Sequence, residues 1–153
     1  MSQSLQTRWL RLKFNLFPAY RGTGARITYI AKDLKEVRVK LPLNWRTNNY
    51  VGSIFGGSMY GAVDPIYMIM LIKLLGKDYL VWDKSATIEF KKPGRTSLYA
   101  RFVLADDDLQ AIRKDLESQP SILRTYNTEL LDAEGVVHAS FKKVIYIRKK
   151  NRA

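Results

Sequence analysis

Residues 54–76 read IFGGSMYGAVDPIYMIMLIKLLG, and between Ile54 and Ile72 the single charge is Asp64. As one helix, Gly56 to Leu75 would run about 30 Å and be apolar on nearly every side. A membrane span has that length, but Gly56, Gly57, Gly61 and Pro65 fit a buried core helix better. Gly76 supplies a C-terminal stop, and Lys73 and Lys77 suit the negative end of the helix dipole. Such a helix has to be wrapped on most sides, and the flanking sequence supplies the wrapping.

On both flanks the hydrophobic period drops to two. Ile27 to Lys32 and Glu36 to Leu41 read as a strand pair, and residues 42–53 as a loop leading into the helix. Beyond Gly76 come four more strand-like runs: Tyr79 to Phe90, Ser97 to Leu104, Ile122 to Leu131, and Val136 to Ile147. The last puts Val137, Ala139, Phe141, Ile145 and Ile147 on one face, which leaves His138 facing solvent or a partner. Pro93-Gly94 and Asp132-Ala133-Glu134-Gly135 read as turns that join strands as hairpins. Asp106-Asp107-Asp108 reads as a capping run on a short helix with an apolar stripe of Leu109, Ile112 and Leu116, in preference to a metal cluster. The order predicts an α+β fold in which an antiparallel sheet curls around one central helix. A sheet of that size leaves edges, so pairing with a second copy is expected.

The 153 residues are enough for one compact domain, and the net charge of +12 is concentrated at the chain ends. Residues 1–26 and 142–152 together carry +11, whereas the middle holds 15 bases against 14 acids and is no obvious polyanion binder. No RNA-reading aromatic motif is present, so nucleic acid is not expected as a partner. Leu5, Trp9, Leu12 and Leu16 recur at helical spacing beside Arg8, Arg11 and Lys13, giving a basic amphipathic helix over residues 3–16 that Pro18 closes. That helix suits either a membrane surface or, the preferred reading, docking of its Trp/Leu stripe on the domain. Gly22-Thr23-Gly24 reads as a flexible connection. The chain then divides into a helix and connection (1–26), a main domain (27–148) and a basic tail (149–153). With no Cys and one His, thiolate and His-rich metal sites, disulfides and a cysteine nucleophile are excluded, and no metal is expected. Arg8, Arg11 and Lys13 interrupt every candidate secretory run, which points to the cytoplasm.

A carboxylate deep in an apolar helix costs several kcal/mol unless it is paired, and no cation stands within one helical turn of Asp64. Pro65 cannot donate to the carbonyl of Gly61, so the helix should kink there. Eight residues earlier, Gly56-Gly57 opens the helix with unpaired amides that a substrate atom can approach closely. Amides that hold a developing oxyanion, with a carboxylate that activates water, suffice for acyl transfer without His or Cys. Gly56-Gly57-Ser58-Met59-Tyr60 falls short of a nucleophile elbow because Tyr60 replaces the second glycine, and Ser58 reads more simply as a small packing residue. Lys91, Lys92 and Arg95 flank Pro93-Gly94, and serve equally as a phosphate clamp or as a solvated hairpin tip.

The string Asn49-Tyr50-Val51-Gly52-Ser53-Ile54-Phe55-Gly56-Gly57, then six residues, then Asp64, resembles the motif that opens the central helix of hotdog-fold thioesterases of the phenylacetyl-CoA thioesterase type. Asn49, Gly52, Gly56, Gly57 and Asp64 match in spacing, and the element order matches from Ile27 to Arg148. The Trp82-Asp83-Lys84 stretch resembles an uncharacterised bacterial branch of that superfamily. The resemblance implies a homodimer or a tetramer, with acyl-CoA at the subunit interface and no cofactor beyond the coenzyme A of the substrate. It implies Asp64 as base or nucleophile, the Gly56 N–H as the group polarising the thioester carbonyl, and Asn49 as an aid in placing water. Gly57, Phe55 and Ser58, with Lys91, Lys92 and Arg95, complete the substrate-binding candidates. Phe55 departs from the family pattern, which usually has His there, and a non-catalytic acyl-CoA or acyl-chain binder of the same fold is the alternative.

Overall fold

The computed structural model describes residues 4–150. Six strands, β1 (Arg26–Ile30), β2 (Glu36–Leu41), β3 (Tyr79–Phe90), β4 (Leu98–Val103), β5 (Ile122–Leu131) and β6 (Val137–Lys149), form one sheet in the order β1-β2-β4-β5-β6-β3. Every pairing is antiparallel. The helices are α1 (Leu5–Leu16), α2 (Pro18–Gly22), α3 (Gly56–Val63), α4 (Ile66–Leu75) and α5 (Asp106–Ser118).

Together α3 and α4 make up the central helix, and the break between them falls at Asp64-Pro65, where the missing proline N–H predicts it. Met59, Ala62, Val63, Ile66, Met70 and Leu71 bury the inward side against sheet residues such as Val39, Phe102 and Ile145. Each large side chain buried in this way contributes about 1.5–3 kcal/mol, so a few of them offset the roughly 3 kcal/mol cost of a proline inside a helix. By length and composition Gly56–Leu75 is long and apolar enough to cross a membrane, yet half of it is buried within the domain. The side carrying Tyr60, Gly61, Asp64 and Ile69 is only partly covered.

The two edges of the sheet differ. At β1, the Asn15 side chain of α1 accepts from the Ile27 amide (2.8 Å) and donates to the Ile27 carbonyl (2.9 Å), while Arg11 donates to the Thr28 carbonyl (2.6 Å). Helix α1 therefore occupies backbone groups that a further strand would need. At the other edge, β3 pairs with β6 alone.

Several sequence expectations are corrected. Pro93-Gly94 is not a hairpin turn, because β3 and β4 lie apart in the sheet and the segment is a crossover tucked against the start of α3, with the Ile54 amide donating to the Gly94 carbonyl (2.8 Å). Pro18 does more than end α1, since it is the first residue of α2. The three acids occupy the first turn of α5 without capping it; Ala105 is the N-cap and makes no side-chain bond. Asp106 pairs with Lys35 and Asp108 accepts from Tyr126 (2.6 Å), and no group of metal-ligating side chains occurs among the described residues. His138 is buried, because the crossover passes over that face of β6: one ring nitrogen lies 3.1 Å from the Pro93 carbonyl and the other 2.9 Å from Asp132. The Leu5, Trp9, Leu12 and Leu16 stripe faces outward and Leu10 and Phe14 dock instead. Arg152, counted in the basic C-terminal end, lies outside the described residues.

Candidate functional site

The loop before α3 is fastened by Asn49. Its side-chain oxygen accepts from the amides of Val51 (3.0 Å) and Ser53 (2.9 Å), and its amide group donates to the Ser53 hydroxyl (2.9 Å). The Phe55 amide donates to the Thr47 carbonyl (2.7 Å), which fixes where the helix begins. No side chain caps α3, and the amides of Gly56 and Gly57 find no acceptor among the described residues. Two free N–H groups at the positive end of a helix are donors poised for an anionic or polarised oxygen.

Gly56 lines a hollow of about 400 Å³ together with Asn49, Met59, Phe90, Lys91 and Lys92. A Cβ at Gly56 would lie 3.0 Å from the Phe90 ring, so glycine lets that ring pack close against the backbone at the start of α3. The aromatic ring of Phe55, itself exposed, fills the space a side chain at Gly57 would need. Ser58 is buried, and Arg95 is exposed but does not line the hollow. Lys91 pairs with Glu89 (3.1 Å). The amides of Lys91 and Lys92 both donate to the His138 carbonyl (2.8 and 3.1 Å), so His138 fastens this rim with its backbone as well as its ring. Its partner Asp132 is held below the usual carboxylate range, chiefly by the His138 hydrogen bond.

Asp64 lies eight residues along, about 12 Å from Gly56 at helical rise, and lines a different depression. That groove, of about 490 Å³, runs between α1–α2 and the central helix, with Leu10, Phe14, Phe17 and Ile69 as its apolar walls. Asp64 is not unpaired. Lys143 on β6, only 3% exposed at its side chain, donates to it across 2.6 Å and lies 3.3 Å from Asp83 on β3. Burial would lower the Lys143 pKa, but the bond to Asp64 and the charges of both carboxylates outweigh burial and raise it. Burial raises Asp83, with the Asp64 charge adding to it against the pull of Lys143. One buried Asp83 oxygen has no aligned hydrogen-bond partner. Tyr60 completes the cluster, its phenol held above its usual range chiefly by the neighbouring Asp64 carboxylate, and the Lys143 ammonium lies 5.6 Å from its ring centre.

Asn49, Gly56, Lys91 and Lys92 are thus brought to one hollow, while Asp64 stands apart from them within one protomer. Sequence reasoning missed Lys143, Asp83, Tyr60 and Phe90. The signal for Lys143 was present: position 143 shares the inward phase of Phe141 and Ile145, where a lysine needs a buried partner. Asp83 was legible in the same way, since it shares the phase of the buried Val81 and stands opposite the buried Ile145.

A family model described as Domain of unknown function (DUF4442) matches residues 7–146. No curated protein matches the chain in sequence. Among solved structures, the Pseudomonas aeruginosa protein PA5026, described as a protein of unknown function and probable thioesterase, superposes with a TM-score of 0.84 at 16% identity, covering 97% of this chain and 99% of that one. The thioesterase HI1161 from Haemophilus influenzae gives 0.69 at 13% identity, covering 99% and 95%. A mutant form of the thioesterase PA1618 from Pseudomonas aeruginosa gives 0.69 at 10% identity, covering 98% and 97%. At these identities the likeness establishes the fold, which is the α+β hotdog arrangement expected from the sequence.

Proposed function

We propose that this chain, which belongs to the DUF4442 family, is an acyl-CoA thioester hydrolase that works as a homodimer. The observation that carries the reading is the free Gly56 amide at the start of α3, in a hollow that Lys91 and Lys92 also line. Donors in that position stabilise the oxyanion that forms when a thioester carbonyl is attacked, and the lysines attract the phosphates of coenzyme A. The motif shared with thioesterases of the phenylacetyl-CoA type, and the solved thioesterases of the same fold, support this assignment.

Since Gly56 and Asp64 of one protomer stand about 12 Å apart, one thioester carbon cannot touch both. The reading therefore places the substrate where Gly56 of one copy meets Asp64 of another, brought together by pairing at the open β3 edge. Asp64, held in place by Lys143, takes a proton from water as the oxygen bonds to the thioester carbon. The tetrahedral oxyanion rests on the Gly56 N–H and collapses, the carbon–sulfur bond breaks, and the proton passes to the leaving coenzyme A thiolate. The products are a free carboxylic acid and the thiol. Asn49 keeps one N–H of its amide group for the attacking water.

A screen of acyl-CoA esters with thiol detection tests the proposal: steady release that Asp64→Asn largely abolishes is expected, and full activity of that variant overturns it. Phe55, exposed at the position where the thioesterase motif it resembles usually has His, favours the second reading, a non-catalytic acyl-CoA binder. Acyl-CoA binding with no wild-type turnover would establish that reading instead.

A further inference from the structure

The outer side of α1 is unusual for a docked helix. Leu5, Trp9, Leu12 and Leu16 recur at helical spacing and all face solvent, Trp9 being 63% exposed, and Phe17, just past the end of α1, is 60% exposed where it borders the groove beside Asp64. The helix is already anchored from its opposite side. There Thr7 is buried, Leu10 and Phe14 pack on the core, Phe14 meets Tyr20 edge-on at 4.7 Å, and Asn15 and Arg11 bond to β1. The outward row is therefore surplus to folding, and each of its large side chains forgoes about 1.5–3 kcal/mol while it remains in water.

What surrounds the row identifies its occupant. At 3.6 residues per turn Arg8 lies on one flank and Lys13 on the other; both are exposed, and neither has an ion-pair partner among the described residues. Arg21 and Arg26 follow close by, and residues 4–26 contain no acid at all. A second copy seated on this row would set cation against cation with no carboxylate to answer them. Moreover α1 covers the β1 edge, opposite the open β3 edge, so pairing through β3 leaves the row bare. An apolar ridge of leucines and aromatics between unpaired cations matches a bilayer whose acyl boundary takes the ridge and whose phosphates take the cations.

We infer that the outer face of α1 is a membrane-docking surface for anionic phospholipid bilayers. The site depends on no part of the catalytic proposal. It binds as a peripheral helix lying in the interfacial plane, with Trp9 at headgroup depth.

The test uses the full chain with Trp45→Phe and Trp82→Phe, so that Trp9 is the single indole reporter. It is mixed with vesicles of phosphatidylcholine alone or of phosphatidylcholine with phosphatidylglycerol. Expected are co-sedimentation and a blue-shifted Trp9 emission with the anionic vesicles, about tenfold or more weaker on neutral vesicles or in high salt. In the same background Leu12→Ser/Leu16→Ser should weaken vesicle binding by more than about tenfold with an unchanged melting temperature, because these side chains support no core. Arg8→Glu/Lys13→Glu, which keeps the ridge, should abolish the preference for anionic lipid. Absence of any Trp9 shift, equal binding to both vesicle types, or undiminished binding by the serine variant each overturns the inference. Conversion of a dimer to a monomer by Leu12→Ser/Leu16→Ser overturns it as well, because the ridge is then a protein contact.

Discussion

Replacing Lys143 by Met keeps the length of the buried side chain and deletes its charge, which isolates the ion pair from the packing. Removing one partner of a fully buried pair costs about 3–5 kcal/mol, because a charge is left uncompensated. Here the stranded groups retain water, Asp64 being 36% and Asp83 25% exposed at their side chains, so roughly half of that penalty, about 2 kcal/mol, should survive. In a chain of 153 residues this lowers the melting temperature by about 4–8 °C. A group whose pKa rises on folding contributes stability that is complete below its unfolded value, about 10.5 for lysine, and fades as pH climbs through the higher folded value. Melts at neutral pH therefore record the whole effect. The assay is a double-mutant cycle by circular dichroism. Asp64→Asn should cost stability in the wild type yet recover part of the loss in Lys143→Met, with a coupling of about 1 kcal/mol or more. Additivity within about 0.5 kcal/mol would show that the 2.6 Å contact couples nothing and would refute the placement of Lys143 as the group that holds Asp64.

Asp83 is held above its usual value, so its charge is a net cost that appears as pH rises from below 3.8 through the folded value. Asp83→Asn should then raise the melting temperature at neutral pH by about 1–3 °C, and a fall would contradict the sign. Glu36 is pulled down to about 2 by hydrogen bonds from Arg101 and Arg38, so its contribution is present above about 4.5 and lost as pH falls through about 2. Both arginines are largely exposed, which limits the gain to about 0.5–1 kcal/mol; Glu36→Gln should flatten the acid limb of the stability profile, and an unaltered limb would count against the pairing. Gly56→Val would press on the exposed Phe90 ring, which can yield, so folding should survive while turnover falls by about 10²–10³. An unchanged rate would remove Gly56 from the reaction.

Alternation read the sheet well where a strand has one buried face, as in β2 and β4, and the bounds of Tyr79–Phe90 and Ile122–Leu131 also fall where expected, although β3 buries only Val81. The break at Pro65 was equally legible, since it follows from one missing N–H. Periodicity could turn a residue inward without naming its partner when that partner is distant in the chain. Lys143 reaches Asp64 from 79 residues away, and His138 is covered by a crossover whose turn chemistry announces a reversal but not the neighbouring strand. In α1 the sequence carries two apolar sets, Leu5/Trp9/Leu12/Leu16 and Leu10/Phe14. The richer one lost the docking face because Asn15 and Arg11, which bond to β1, lie on the side of the poorer one. The motif Asn49 to Asp64 named one hollow and one carboxylate, but not that they stand in separate depressions.

Because Asn15 and Arg11 consume the backbone groups of Ile27 and Thr28, strand addition at β1 has no donors or acceptors to use there. The sheet consequently has a valence of one. Whatever strand joins β3, the composite formed from two such chains presents only α1-blocked flanks, and edge-to-edge growth terminates at that stoichiometry without running on into a fibre. Opening that flank would take more than loss of the Asn15 amide, because Arg11 still holds the Thr28 carbonyl and Leu10 and Phe14 still keep α1 on the core.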